Sequence, residues 1–513
     1  MNAFYSIHNI EVFISNINGI NELTKYIIYE SNALSCTVGE TGDFIRLNDA
    51  ITYFSQYYPG YAASGVTIRI FLLEDFVMRE QVILSGIDLS WMEVFSEHTV
   101  KIMRSALKNR VENYLPVFSA SRGGRLPLIS ALFDMEYVEG SKDISVAFLV
   151  HGAGSSVNFS TRAGCINAFG DGLLALSGAS FGADNTLWNH CAGDGVSARS
   201  GATGSANASE ANRCHNGFLA EGAVLSAQGS VARDSRSAGF ASRMSGSMNA
   251  EGADAQNGLN YGFYASISSL LNVTRGNCSG CRFGITGQRG SKIAAEEVIA
   301  DNCTETNISA RRYTEIEAQS CHAVNTDTTP LYCIRANYSG SVIVESGTVG
   351  GSCTDNLCRA TTNAEIQATD ASLAGGIGKC VAVFVDESAN FNGRRMTLDH
   401  SLSSGTAVQI SRASTADLSH SIINNAGNYG VLVQYGANVS LDDAMVRGSH
   451  NYSLYVTDGG KVSAIKADLQ QVAGTDARTN IVISRGGIIS AAQSIGGVYT
   501  AANTISDAGI IFR

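Results

Sequence analysis

Between Cys191 and Asp301 the chain repeats itself: Gly195-Val196, Gly217-Phe218, Gly239-Phe240, Gly262-Phe263 and Gly284-Ile285 recur at steps of 22, 22, 23 and 22 residues. A unit that short cannot bury its own apolar side and has to stack on its neighbours, so the period restricts the chain to a solenoid, propeller or array. The apolar member of each pair extends into a ladder from Leu173 and Val196 through Ile308, Ile334, Leu357, Val381 and Val408 to Ile481. A second ladder follows it by seven to ten residues: Leu225, Met248, Leu271, Ile293, Ile316, Val342, Ile366 and onward to Ile489, with Phe181 and Gly204 as weaker early members and Val157 as a possible first.

Around each second-ladder landmark the pattern alternates, as it does in a half-buried strand. Two residues on stand Ala227, Ala250, Val273, Ala295 and Ala318, all small or apolar; one residue on, the column is mostly polar, with Ser226, Asn249, Asn272 and Glu317. Val342 is preferred to Ile343 as landmark because the other register would drive Glu345 into the core without a partner. Strands this short, separated by Gly, Ser and Asn turns, describe a parallel β-helix; the leucines and asparagine that a leucine-rich repeat needs at fixed offsets are missing. Proline agrees, since it removes a ladder donor and only Pro330 occurs after Pro127.

One repetitive core can run the length of a 513-residue chain because each coil needs only its neighbours. A charged fraction of 16% and 54 glycines suit tight coils with small side chains in register. The net charge of −11 disfavours a nucleic-acid-binding surface as a whole. No apolar run is long enough to span a bilayer, and Met1-Asn2-Ala3-Phe4 does not open a secretory signal, so cytoplasmic synthesis is expected. The chain stops at Gly509-Ile510-Ile511-Phe512-Arg513, which leads one to expect any trimer to be held by the sides of the coils or by the N-terminal part.

Three regions are expected: an attachment or oligomerisation segment over residues 1–37, a capping helix with irregular first coils over 38–150, and the regular β-helix over 151–513. The first holds a strand at Ile10 to Ile14 and an apolar-periodic stretch from Leu23 to Ile28. In the second, Leu47, Ala50, Ile51 and Phe54 fall at i, i+3, i+4 and i+7, which predicts a helix over 44–57 with Asp43 as its cap, plugging the open first coil. Strand character follows at Val66 to Leu73, Val82 to Leu84 and Trp91 to Phe95. Of the 12 cysteines, Cys191 and Cys214, like Cys278 and Cys303, lie about one coil apart and read as stacked core thiols rather than zinc ligands or disulfides.

The segments GVTIRIFLLEDFVMREQVILSGIDLSWMEVFS (65–96), GGRLPLISALFDM (123–135) and NTISDAGIIFR (503–513) resemble the β-helical tail-fibre and tailspike proteins of bacteriophages and prophages, the first carrying most of the likeness. Asp88-Leu89-Ser90-Trp91 departs slightly from the Asp-Leu-Gly-Trp expected there. The resemblance implies an all-β chain, a right-handed, pectate-lyase-like parallel β-helix. It also implies a homotrimeric appendage on the virion tail, joined to the phage baseplate or tail by its N-terminal part. Such an appendage contacts bacterial surface glycan, capsule or lipopolysaccharide O-antigen, as a host receptor and sometimes cuts it.

No short catalytic motif is present, so chemistry would have to come from outward side chains of successive coils. Glu251 and Glu296, two coils apart, have backbones expected roughly 10 Å apart, and long side chains could bring the carboxylates to glycosidase spacing. That pair would make a depolymerase, hydrolase or lyase, the alternative to a fibre that only binds. Arg243, Tyr264, Arg311 and Arg335 on the outer side of the first ladder, and Glu317 beside the second, are candidates to stack on or hydrogen-bond a sugar. Exposed Glu and Arg on a solenoid are, however, ordinary solvation. His190, His215 and His322 read as structural. No cofactor and no metal is expected, because the Gly-Gly-x-Gly-x-Asp calcium array is missing.

Overall fold

The computed structural model describes residues 3–7, 10–17, 20–22, 35–56, 67–141, 143–470, 481–494 and 510–512. The stretch from Leu23 to Ile28 and most of the 503–513 phrase lie outside the described residues. The chain divides into two compact units, Met1–His215 with Gly222–Ser226, and Asn216–Glu221 with Ala227–Arg513. Both are built of parallel β-helical coils, and the only helix longer than one turn among the described residues is Leu47–Ser55.

The first unit opens with an antiparallel sheet, Ala3–Ile7, Ile10–Ile17 and Ile20–Glu22, so the expected strand at Ile10 is present and longer. The helix buries Leu47, Ala50, Ile51 and Phe54 and sits against the strand Ser35–Val38. It starts three residues later than expected, and Asp43 does not cap it. Asp43 accepts instead from the Thr37 amide at 2.8 Å and the Thr37 hydroxyl at 2.9 Å, while the Glu80 carboxylate takes the Leu47 N–H at 2.7 Å. A carboxylate from a neighbouring coil thus satisfies the orphan donor that a local residue usually would. Coils follow through Ile68–Leu72, Val82–Ser85 and Met92–Phe95, near the three stretches read as strands. The coils after these have an aromatic core: Phe118 stacks on Phe148 at 5.0 Å, and Trp188, wholly buried, packs edge-on to Phe148 and Phe159 while its indole N–H finds Thr186 Oγ1 at 2.6 Å.

In the second unit the first ladder runs Phe218↔Phe240↔Phe263↔Ile285↔Ile308↔Ile334 in direct register, with Phe218 stacked on Phe240 at 5.0 Å and Phe263 tilted against Phe240 at 5.5 Å. It then continues through Cys358 and Val383, not Leu357 and Val381. Leu357 and Cys358 are both fully buried, so side-chain size pointed to the wrong one of two adjacent inward residues. The second ladder pairs as read, Leu271↔Ile293↔Ile316↔Val342↔Ile366, and Val342 rather than Ile343 is the inward residue. Each coil also has a third side, which the two ladders do not include. It is made of single bridges at Val231, Asp254, Asn277 and Ile299 and becomes a sheet from His322–Asn325 through Met445–Arg447.

The glycine of the repeated pair is explained by space. A Cβ on Gly239 would lie 2.6 Å from the Ala255 Cβ, and one on Gly262 2.4 Å from the Cys278 Cβ. In the first unit, a Cβ on Gly204 would strike the Phe181 ring beneath it at 2.1 Å, which is why that rung of the second ladder is weak. All 12 cysteines are free and buried; burial pushes the thiols of Cys36, Cys281 and Cys321 up to about 12.

Candidate functional site

Parity along the first-ladder sheet of the second unit sets what faces outward. With Phe263, Ile285, Ile308 and Ile334 turned into the core, the next residue in each coil points out, giving the column Tyr264, Thr286, Ser309, Arg335 and Arg359. Two residues further along the strand lies a second outward column, Arg243, Ser266, Gln288, Arg311 and Asn337. On the other flank stand Tyr261, Phe283, Thr306 and Tyr332. The face therefore has large aromatic and arginine side chains around a floor of small polar ones.

The rings are ordered. Tyr261 lies 4.7 Å from Tyr264 and 5.3 Å from Phe283, centroid to centroid. Arg243 sits over Tyr264 at 5.2 Å, and Arg335 and Arg359 sit over Tyr332 at 5.0 and 5.2 Å, cation–π contacts that hold each guanidinium against an aromatic surface. Arg311 donates from Nε to Ser309 Oγ at 3.2 Å. Arg359 reaches Asp355 at 3.1 Å and the Tyr332 hydroxyl at 3.0 Å, and Arg282 reaches Glu305 at 3.1 Å. Among the described residues, no carboxylate forms an ion pair with Arg243, Arg311 or Arg335.

The electrostatics follow. Burial, then the charges of Arg311 and Arg359, hold Arg335 below the usual arginine range. Burial, then the neighbouring Tyr264, pushes Tyr261 up, against the opposing pull of Arg311, Arg282 and Arg243. Burial likewise raises Tyr332. The floor keeps polar groups unmatched: Thr286 is 3% exposed and Asn337 4%, yet Thr286 Oγ1, Asn337 Oδ1, Arg335 Nε and Arg243 Nε have no hydrogen-bond partner. Buried polar atoms are nearly always paired, so four orphans on one face are unusual. Such a face can stack flat apolar rings, bind anionic groups between guanidinia, and give and accept hydrogen bonds at its floor.

Of the residues singled out from the sequence, Arg243, Tyr264 and Arg311 come together here with Arg335. Tyr261, Phe283, Thr286, Tyr332 and Asn337 also belong to this face and were not singled out; their signal was their register with Tyr264 and Arg311. Glu317 lies on the second-ladder sheet, paired with Ala294 and Ile343 and half-buried. It lines a shallow hollow of about 320 Å³ with Asn249, Leu270, Asn272, Lys292 and Glu315.

Glu251 and Glu296 stand on the turns that leave that sheet, with Thr274 in the coil between them: Gly252 N donates to Thr274 O, and Arg275 N to Glu296 O, both at 2.8 Å. The carboxylate of Glu251 is ion-paired with Arg275 and accepts from Gln228 Nε2 at 3.3 Å; Glu296 is exposed. His322 has an acidic partner, its Nδ1 lying 2.8 Å from both carboxylate oxygens of Asp301, a residue of the preceding coil. Among the described residues no cluster of three or more His, Cys, Asp or Glu is placed to hold a metal ion.

No family model and no curated protein matches the chain. Among solved structures the chain is similar to the PL6 family alginate lyase AlyGC, with 8% identity, 89% of this chain and 98% of that one covered, and a TM-score of 0.25. It is similar to the pectate lyase Pel9A, with 11% identity, 63% of this chain and 78% of that one covered, and a TM-score of 0.23. A tailspike protein of Escherichia coli bacteriophage HK620, in a mutant form bound to a pentasaccharide, gives 10% identity, 89% and 78% coverage and a TM-score of 0.25.

Proposed function

We propose that the chain is the receptor-binding fibre or spike of a phage or prophage tail. In this reading it recognises a bacterial surface polysaccharide, capsule or lipopolysaccharide O-antigen, through the outward face of the first-ladder sheet. One observation carries the recognition: aromatic rings and arginines without carboxylate partners surround a floor whose hydroxyl and amide oxygens are buried and unmatched. Rings of this kind stack on the apolar faces of sugars, and the floor atoms suit sugar hydroxyls. The tail assignment rests on the likeness of residues 65–96 to tail-fibre and tailspike proteins. The protein is then a homotrimer on the virion tail, made in the host cytoplasm and attached through residues 1–37.

The test is retention of purified protein on capsule and O-antigen preparations and on whole cells, with reducing ends and the ultraviolet absorbance of unsaturated uronate followed together. Retention that weakens about tenfold or more, near 1.4 kcal/mol, on Arg311→Ala and Arg335→Ala supports recognition by this face. Retention indifferent to both substitutions removes it. Release of reducing ends makes the protein a depolymerase, absorbance separates lyase from hydrolase, and Glu251→Gln and Glu296→Gln then ask whether those carboxylates do the work.

A further inference from the structure

The first-ladder sheet does not present one kind of surface throughout. Beyond Arg359 its outward column continues Phe384, Gln409, Leu432, Tyr455 and Val482, and the flanking column carries Tyr429 and Tyr452 in register. Tyr429 and Tyr452 stack 5.7 Å apart with their planes within 4°, and Tyr455 sets its ring edge-on to both, at 5.3 and 6.0 Å. All three are half-buried. Of the charges nearest in sequence, Asp458 is ion-paired with Arg485 and Arg447 with Asp468. An uncharged tyrosine platform thus stands on the same face as the arginine zone. From Arg335 to Tyr455 is five coils, through Arg359, Phe384, Gln409 and Leu432, or about 24 Å at strand spacing.

We infer that the ligand is an acidic heteropolysaccharide lying along the coil axis, with an acidic sugar at Arg311 and Arg335 and a neutral sugar on the Tyr429–Tyr452–Tyr455 platform. This rests on the reading of the face as a glycan site and adds the class of glycan and its direction. Charge complementarity selects the acid. The chain carries −11 overall, yet Arg243, Arg311 and Arg335 have no carboxylate partners, and Arg335 is depleted of water by burial between two other guanidinia, an arrangement that an anion relieves. Thr286, two coils from Arg335, and Asn337, two residues along its strand, leave an unmatched hydroxyl and an unmatched carbonyl oxygen on the same face. A flat tyrosine pair without a nearby free charge offers stacking alone, which suits a neutral ring. Because the two zones are about 24 Å apart, a fragment short enough to fill one zone cannot reach the other.

The experiment uses the full chain on an array of purified acidic and neutral bacterial capsular and O-antigen polysaccharides, followed by titration with length-graded fragments of whichever polymer is retained. The expected result is retention of acidic polymers, lost on carboxyl reduction. Long fragments should bind about tenfold or more tighter than fragments that fill one zone. Tyr452→Ala with Tyr455→Ala should remove that advantage and leave short acidic fragments unchanged, while Tyr452→Phe with Tyr455→Phe restores it, which separates stacking from a folding defect. Retention of neutral polymers alone, or of acidic ones indifferent to the tyrosine substitutions, overturns this inference and leaves glycan recognition standing. Retention of nothing overturns both. A change in sedimentation on Arg311→Ala and Arg335→Ala, without a change in glycan binding, makes the face a contact between copies of the chain and overturns both as well.

Discussion

Asp386 is 2% exposed and holds its carboxylate among donors: Ser411 Oγ at 2.8 Å, the Glu387 amide at 3.0 Å and Arg412, whose Nε lies at 2.7 Å. Burial alone would raise it, but the hydrogen bonds and charge of Arg412, with Ser411, outweigh burial and leave it below the usual carboxylate range. A carboxylate with a depressed folded-state value contributes stability that is present above its unfolded value, roughly 4, and lost as pH falls through the folded value. Asp386→Asn should therefore lower the melting temperature at neutral pH by roughly 2–4 °C. The gap to the unsubstituted protein should close as the pH is taken below about 4. The thiols give a second check at this scale. With all 12 cysteines buried and burial raising Cys36, Cys281 and Cys321 to about 12, an aromatic disulfide reagent should find almost none in the native protein and all 12 in denaturant. Individual site residues were legible from the sequence only where parity governed them. Arg243, Tyr264 and Arg311 follow from alternation, whereas the partner of Glu251, Arg275, comes from the next coil's turn and leaves no periodic trace.

At the scale of the strand and its turn, the Gly-Phe pair that dominates the sequence is one device. The phenylalanine fills the coil, and the glycine before it makes room for the alanine or cysteine arriving from the third side. Phe240 lies between Phe218 and Phe263 and is fully buried. Phe240→Ala should cost about 3–5 kcal/mol by urea denaturation, and Phe240→Leu distinctly less. Gly262→Ala should cost about 1–3 kcal/mol despite the higher β-propensity of alanine, because its Cβ would meet Cys278 at 2.4 Å. Both ladders were readable because a large apolar residue occupies nearly every rung. The first ladder slipped at Leu357, where the true rung is a small thiol, Cys358. The third side was not resolved because its early rungs include Asp254 and Asn277, whose polarity disguises them as loop. The helix was visible through its four buried positions, while its cap was not, since Glu80 is a neighbour only after folding.

For the molecule as a whole, a repeat whose coils need only their neighbours should tolerate losing one whole coil but not a fraction of one. Between Val383 and Val408, Phe391 and Ala416, and Leu398 and Ile423, all three sides of the coil advance by the same 25 residues. Deleting residues 384–408 therefore joins Val383 to Gln409 with every column still in phase. Deleting 384–407 shifts the parity of everything beyond it and turns apolar residues outward. The first deletion should yield a protein with an unchanged far-ultraviolet spectrum and a cooperative melt; the second should give aggregated material. If both behave alike, the columns are not what holds the coils together. The in-phase deletion also brings Tyr455 one coil, about 4.8 Å, nearer to Arg335 without touching either. A glycan that bridges the two zones should then lose its length advantage or transfer it to a shorter fragment, whereas one confined to the arginine zone should bind as before.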